Sequence, residues 1–123
     1  MAKVLGVGGV FFKSKDPAAL RAWYASALGL DTEEHGVMFK PDTMPAGAFT
    51  LWSPFPAATD YFAPSDQAFM INLVVDDLDA ILARVKAGGG QAMEKIEEYD
   101  YGRFGWFVDP DGHKVELWQP PAA

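Results

Sequence analysis

Apolar side chains recur along this chain at two spacings. Leu20, Trp23, Tyr24, Ala27 and Leu28 fall at i, i+3, i+4, i+7 and i+8, one helical stripe, and Leu78, Ile81, Leu82 and Val85 make a second. Each stripe follows an aspartate suited to cap a helix, Asp16 before Pro17 and Asp77 before Leu78. Gly29 and the run Gly88-Gly89-Gly90 stop them. Residues 4–13, 30–32, 36–39, 48–53, 69–75 and 91–99 read as strands, which bury alternate side chains. The segment 103–120 reads as a hairpin, with strands 104–108 and 114–118 joined by Asp109-Pro110-Asp111-Gly112-His113. Pro presets φ for the turn and Gly takes the positive φ at its exit.

These elements repeat. Asp16 and Asp77 lie 61 residues apart, and the same offset pairs Val10 with Ile71, Phe12 with Leu73 and Leu20 with Ile81. The order strand, helix, three strands therefore occurs twice, and the expected class is α+β: two tandem βαβββ modules forming a cup-shaped mixed sheet with helices outside. The boundaries are module 1 at about 4–53, a Pro-rich connector at 54–66 and module 2 at about 67–120, within one domain spanning 1–123. Alternation assigns Val10, Phe12, Leu51, Ile71, Leu73, Val115 and Leu117 to the face under the helices. The opposite face, Gly9, Phe11, Thr50, Trp52, Met70, Asn72, Glu116 and Trp118, is expected to line the cup.

Composition narrows the function classes. Half of the 123 residues are hydrophobic, which excludes general disorder. Ten Lys and Arg against 17 Asp and Glu leave a net charge of -7, so nucleic acid is not an expected partner. No apolar run is long enough for a membrane span, the N-terminal stretch becomes charged too early for a secretion signal, and a cytoplasmic protein is expected. With no cysteine there is no disulfide, thiolate nucleophile or Cys-type zinc site. The two histidines, His35 and His113, fall in a loop and in the hairpin turn, where surface placement is expected. Glu116 is the notable polar group, a carboxylate facing an apolar interior that must be paired or change its protonation.

Residues 10–16, Trp23-Tyr24 with Leu28-Gly29, residues 72–77 with Leu78, and Asp109-Pro110-Asp111-Gly112 leading into Val115-Glu116-Leu117 together span most of the chain. In their order and spacing the chain resembles the vicinal oxygen chelate superfamily, which includes glyoxalase I, bleomycin-resistance proteins and extradiol dioxygenases. The resemblance implies metal-ligand positions at Gly9, Thr50, Met70 and Glu116, of which only Glu116 is an ordinary ligand for a hard or borderline cation. No cofactor is expected on that basis, a divalent metal being the alternative. Dioxygenase chemistry, which in this family uses two His and a Glu, is the least supported transfer.

The leading expectation is a protein of the glyoxalase and bleomycin-resistance type that binds a small aromatic or cationic molecule around Glu116. Phe11, Thr50, Trp52, Tyr61, Met70, Asn72 and Trp118 are its candidate ligand-binding residues. The alternatives are a glyoxalase-type lyase or isomerase, metal-dependent or with Glu116 as general base, and a non-catalytic interaction module with a filled cup. The resemblance also implies a homodimer, since relatives pair two chains to complete their cups.

Overall fold

The structure, a computed structural model, describes residues 3, 5 and 7–122. Helix α1 (Pro17–Leu28) starts where the Asp16 carboxylate accepts the Ala19 N–H at 3.1 Å, and Gly29 ends it at φ 72°. Strand β1 (Ile71–Val74) leads into helix α2 (Leu78–Ala87), capped by Asp77 on the Ala80 N–H at 3.0 Å. There follow β2 (Gln91–Ala92), β3 (Glu97–Tyr99), β4 (Gly102–Val108) and β5 (Lys114–Gln119). Both helix boundaries are thus set by local chemistry that the sequence displays.

The five strands form one mixed open sheet. β1 pairs parallel with β5, β5 antiparallel with β4, and β2 and β3 share the far edge of β4. Both helices pack on one face. Phe107, Val115 and Leu117 from the sheet meet Leu78, Ile81, Leu82 and Val85 of α2 and Ala27 and Leu28 of α1. A Cβ at Gly105 would lie 3.0 Å from Leu82 Cδ1 and 3.1 Å from Leu78 Cδ1, so the missing side chain lets α2 close on β4. The Gln119 side chain accepts the Leu78 N–H at 2.8 Å and fixes the start of α2 to the end of β5.

The α+β class and both helical stripes are as expected, with Leu20, Ala27 and Leu28 buried in α1 and all four stripe residues buried in α2. The expected strand 91–99 is divided into β2 and β3. The strands expected at 69–75, 104–108 and 114–118 are present as β1, β4 and β5, and those expected in the first half are corrected. The described part of 4–13 is extended without strand pairing, Val4 and Gly6 lying outside the described residues. Segments 30–32, 36–39 and 48–53 hold no strand either, only an isolated bridge between Glu33 and Gly36. Val10, Phe12 and Leu51, expected beneath the helices, are consequently exposed. A strand exists only when a neighbour supplies its hydrogen bonds, and period-two apolar spacing records where such a neighbour would be useful without providing one.

Candidate functional site

Glu116 sits in the middle of β5, and the pairing of that strand determines what surrounds it. In the parallel pair with β1 its Cα partner is Asn72, and in the antiparallel pair with β4 it is Trp106. One row across the sheet therefore reads Asn72, Glu116, Trp106, on the face away from the helices. The Asn72 amide donates to Glu116 Oε1 at 2.7 Å, and the Trp106 indole donates to Oε2 at 3.0 Å. From the connector, the Tyr61 hydroxyl donates to Oε2 at 2.6 Å. Three neutral donors thus hold one half-buried carboxylate.

A carboxylate offers about four lone-pair positions, so one on Oε1 remains for an incoming donor. The Asn72 carbonyl oxygen and the Tyr61 oxygen, whose protons are directed to or beside Glu116, present further acceptors. Burial, then the hydrogen bond and charge of Glu116, push the Tyr61 hydroxyl well above its ordinary pKa, so it stays a neutral donor. Lys114, on the same face two residues before Glu116, is buried and donates to the Tyr61 carbonyl. Its ammonium lies 5.1 Å from the Tyr61 ring centroid and 5.7 Å from that of Trp106. Desolvation lowers its pKa, and the charges of Glu116, Asp60 and Glu97 oppose that shift.

Trp118 continues the face beyond Glu116. It is buried, donates to the Tyr101 carbonyl at 2.8 Å and stacks on Phe104 with ring centroids 6.4 Å apart. With Phe49, Tyr101, Gly47 and Pro120 it lines a cavity of about 320 Å³. The site therefore has a polar anchor beside an aromatic wall.

Of the residues singled out from the sequence, the structure brings Asn72 and Tyr61 onto Glu116 and places Trp118 next along its strand. Met70 is half-buried just before β1. Phe11, Thr50 and Trp52 do not hold the inward strand positions expected of them: they belong to segments without strand pairing and are exposed, Phe11 at 97% and Trp52 at 78%. The inward position given to Gly9 falls with them, since it too is exposed.

Trp106 and Lys114 were not among the expected site residues, although the hairpin carries the signal for both. Its turn pairs Val108 with Lys114, and counting two residues outward on each strand puts Trp106 opposite Glu116. Alternation puts Lys114 on the Glu116 face.

A glyoxalase-like domain family model matches residues 9–118. The chain belongs to the glyoxalase-like domain family. This places it in the vicinal oxygen chelate superfamily that the motif order resembles. Two curated glyoxalase-like relatives, each described as "Putative glyoxylase CFP32", come from Mycobacterium bovis and Mycobacterium tuberculosis. Each is 30% identical over 118 residues, covering 89% of this chain and 44% of the relative, so the chain spans less than half their length. Among solved structures, TnmS3, an antibiotic binding protein from Streptomyces sp. CB03234, is 25% identical with a TM-score of 0.51, covering 87% of this chain and 88% of its own. A protein of unknown function from Agrobacterium tumefaciens shares the fold at 19% identity and a TM-score of 0.56, covering 94% of this chain and 98% of its own.

The superfamily's metal chemistry can be tested against the donors this glyoxalase-like chain supplies. Gly9 has no side chain, Thr50 is exposed on an unpaired segment, and Met70 offers a thioether that prefers soft metals. Glu116 has three of its lone-pair positions engaged by Asn72, Tyr61 and Trp106. Among the described residues no group of three or more His, Cys, Asp or Glu converges to hold an ion. The residues present at the family's positions do not fit a hard divalent cation. Among the described residues, too, no helix is long and apolar enough to cross a membrane.

Proposed function

We propose that this glyoxalase-like protein binds a small aromatic, hydrogen-bond-donating or cationic molecule at Glu116, without a protein-bound metal. The observation that carries the reading is the Glu116 carboxylate itself, held by Asn72, Tyr61 and Trp106 with one lone pair free, and with Trp118 two residues along the same face of β5. Building such an anchor fixes three side chains, which costs conformational entropy. The open position on Oε1 is an acceptor, which suits a ligand that brings a proton or positive charge. A flat aromatic body would find its wall in Trp118, Phe49 and Tyr101. The antibiotic-binding activity stated for TnmS3 supports the same reading.

Lyase or isomerase chemistry with Glu116 as base is the second reading, favoured by the description of the mycobacterial relatives. It requires an electrophile for the developing oxyanion. The Tyr61 hydroxyl and Trp106 N–H are committed to Glu116, which leaves the second Asn72 N–H and Lys114 for that task. Binding needs no such group and is the simpler use of the site.

The test is a Trp-fluorescence titration with planar aromatic cations, ethidium first. Wild type should give a saturable response, and Glu116→Gln should weaken it by about tenfold or more, the usual loss for a hydrogen bond to a charged group. Equal affinity in the two proteins would place the ligand elsewhere and remove this reading.

We also propose that the chain functions as a homodimer. Val10, Phe11, Leu51 and Trp52 are exposed on segments without strand pairing, and β1 forms an edge of the sheet. A surface of this kind is better covered than left in water. Light scattering of the purified chain should give twice the chain mass of 13.4 kDa, whereas the monomer mass at all concentrations would refute the dimer.

A further inference from the structure

The turn between β4 and β5 holds a second organised cluster, separate from Glu116 and independent of the reading given for it. His113, expected at the surface, is buried at 5% exposure. Its Nδ1 lies 2.9 Å from Asp109 Oδ2, which also accepts the Tyr24 hydroxyl at 2.8 Å. Asp109 Oδ1 accepts the backbone N–H groups of Asp111 and His113, both at 2.9 Å. With four donors on a buried carboxylate, the imidazole must present Nδ1–H to Asp109, and its orientation is fixed. The rings of Phe12 and Phe69 pack against it at centroid distances of 5.2 and 5.6 Å.

The other ring nitrogen has no partner among the described residues. Every sealed polar side-chain atom among them does have one, so Nε2 is open to its surroundings. The His113 residue lines a cavity of about 490 Å³ together with Lys13, Ser14, Lys15, Gln67, Phe69 and Asp111. Lys13 and Lys15 bring two ammonium groups to one rim of a chain whose net charge is -7. The single carboxylate in the lining, Asp111, already accepts a hydrogen bond from the Ser14 hydroxyl.

We propose that this cavity is a binding site for a small oxyanion, held by the ammonium groups of Lys13 and Lys15 with the His113 ring in its wall. With Nδ1–H committed to Asp109, Nε2 donates only when the ring is an imidazolium. The titratable and charged groups around the ring are Asp109 and Asp111 in the turn, Lys13 and Lys15 on the N-terminal segment, and Tyr24 of α1 through Asp109. Two ammonium groups against one hydrogen-bonded carboxylate on the rim favour an anion. The same oxygen chemistry belongs to tetrahedral phosphate-like and planar carboxylate head groups, and the probes must separate them.

The chain has two histidines, so its imidazole spectrum is simple, and His35→Asn assigns it. The intact protein is titrated with sodium sulfate, and separately with sodium acetate, at constant ionic strength in chloride while the imidazole resonances are followed by NMR. His113 should shift saturably, half-complete on the order of 1–10 mM, with His35 unmoved. Lys13→Gln/Lys15→Gln, both exposed and remote from the core, should weaken binding about fivefold or more without disturbing the fold. Saturation by either anion supports the site, and the tighter anion identifies the head group. Parallel drift of both histidines, a response that never saturates, or undiminished affinity in the double lysine variant would overturn it.

Discussion

Phe107→Ala should cost about 3–5 kcal/mol, a large share of the roughly 5–15 kcal/mol that holds a domain of this size together. Phe107 is 0% exposed and lies where both helices meet the sheet. Its ring packs against Trp23 at a centroid distance of 5.9 Å and Tyr24 at 6.3 Å, and it shares the core with α2. Removing it opens a cavity that neighbours on rigid elements cannot collapse into, so the cost exceeds simple transfer of the lost carbons. Urea unfolding should show a lower midpoint at an unchanged slope. Phe107→Leu, which keeps most of the volume, should fall between wild type and Ala and provides the comparison if Ala fails to fold. A midpoint for Ala within about 1 kcal/mol of wild type would mean that the core is centred elsewhere.

Asp109→Ala should cost a similar amount, about 3–5 kcal/mol, for a different reason. The carboxylate is 5% exposed, and each of its oxygens accepts two hydrogen bonds, from the Tyr24 hydroxyl, the His113 ring and two turn N–H groups. Truncation leaves those donors without partners, among them the buried His113 ring and the half-buried Tyr24 hydroxyl. Asp109→Asn should rescue little, because an amide NH₂ in place of either oxygen turns two acceptor positions into donors facing donors. Tyr24→Phe alone should cost about 1–2 kcal/mol and next to nothing in the Asp109→Ala background, since the bond it removes is already gone. Additive losses in that double-mutant cycle would show that the two residues do not share an interaction.

The two predictions differ in how far the sequence foresees them. That Val115 and Leu117 share a buried face follows from alternation, and the α2 stripe that covers them follows from 3.6-residue spacing. Phe107 then falls opposite Val115 by the register of the hairpin. Asp109 reads in the sequence only as a turn residue, and His113 as a surface histidine. What buries both is α1 arriving from 85 residues away with Tyr24 above the turn, a contact that no local pattern encodes.

The candidate site divides in the same way. Asn72, Glu116 and Trp118 were legible because a strand's facing positions are fixed by counting, and Trp106 and Lys114 were within reach of the same count. Tyr61 lies in a connector with no periodicity, and its hydrogen bond to Glu116 spans 55 residues. Phe11, Thr50 and Trp52 show the opposite failure. Their alternation suggests strands, yet they stay exposed because no neighbouring strand pairs with them.

By itself the sequence determined the two helices with their caps, the β4–β5 hairpin, the α+β class and the central position of Glu116. Each depends on propensity, capping or spacing within a few residues of chain. The tertiary structure alone decided that Tyr61 closes over Glu116, that Asp109 and His113 are buried under Tyr24, and that the described residues of the first half contribute a helix but no paired strand. Those outcomes depend on contacts between residues distant in the chain, where the entropy of closing a long loop is offset only by the burial and hydrogen bonding that the whole fold provides.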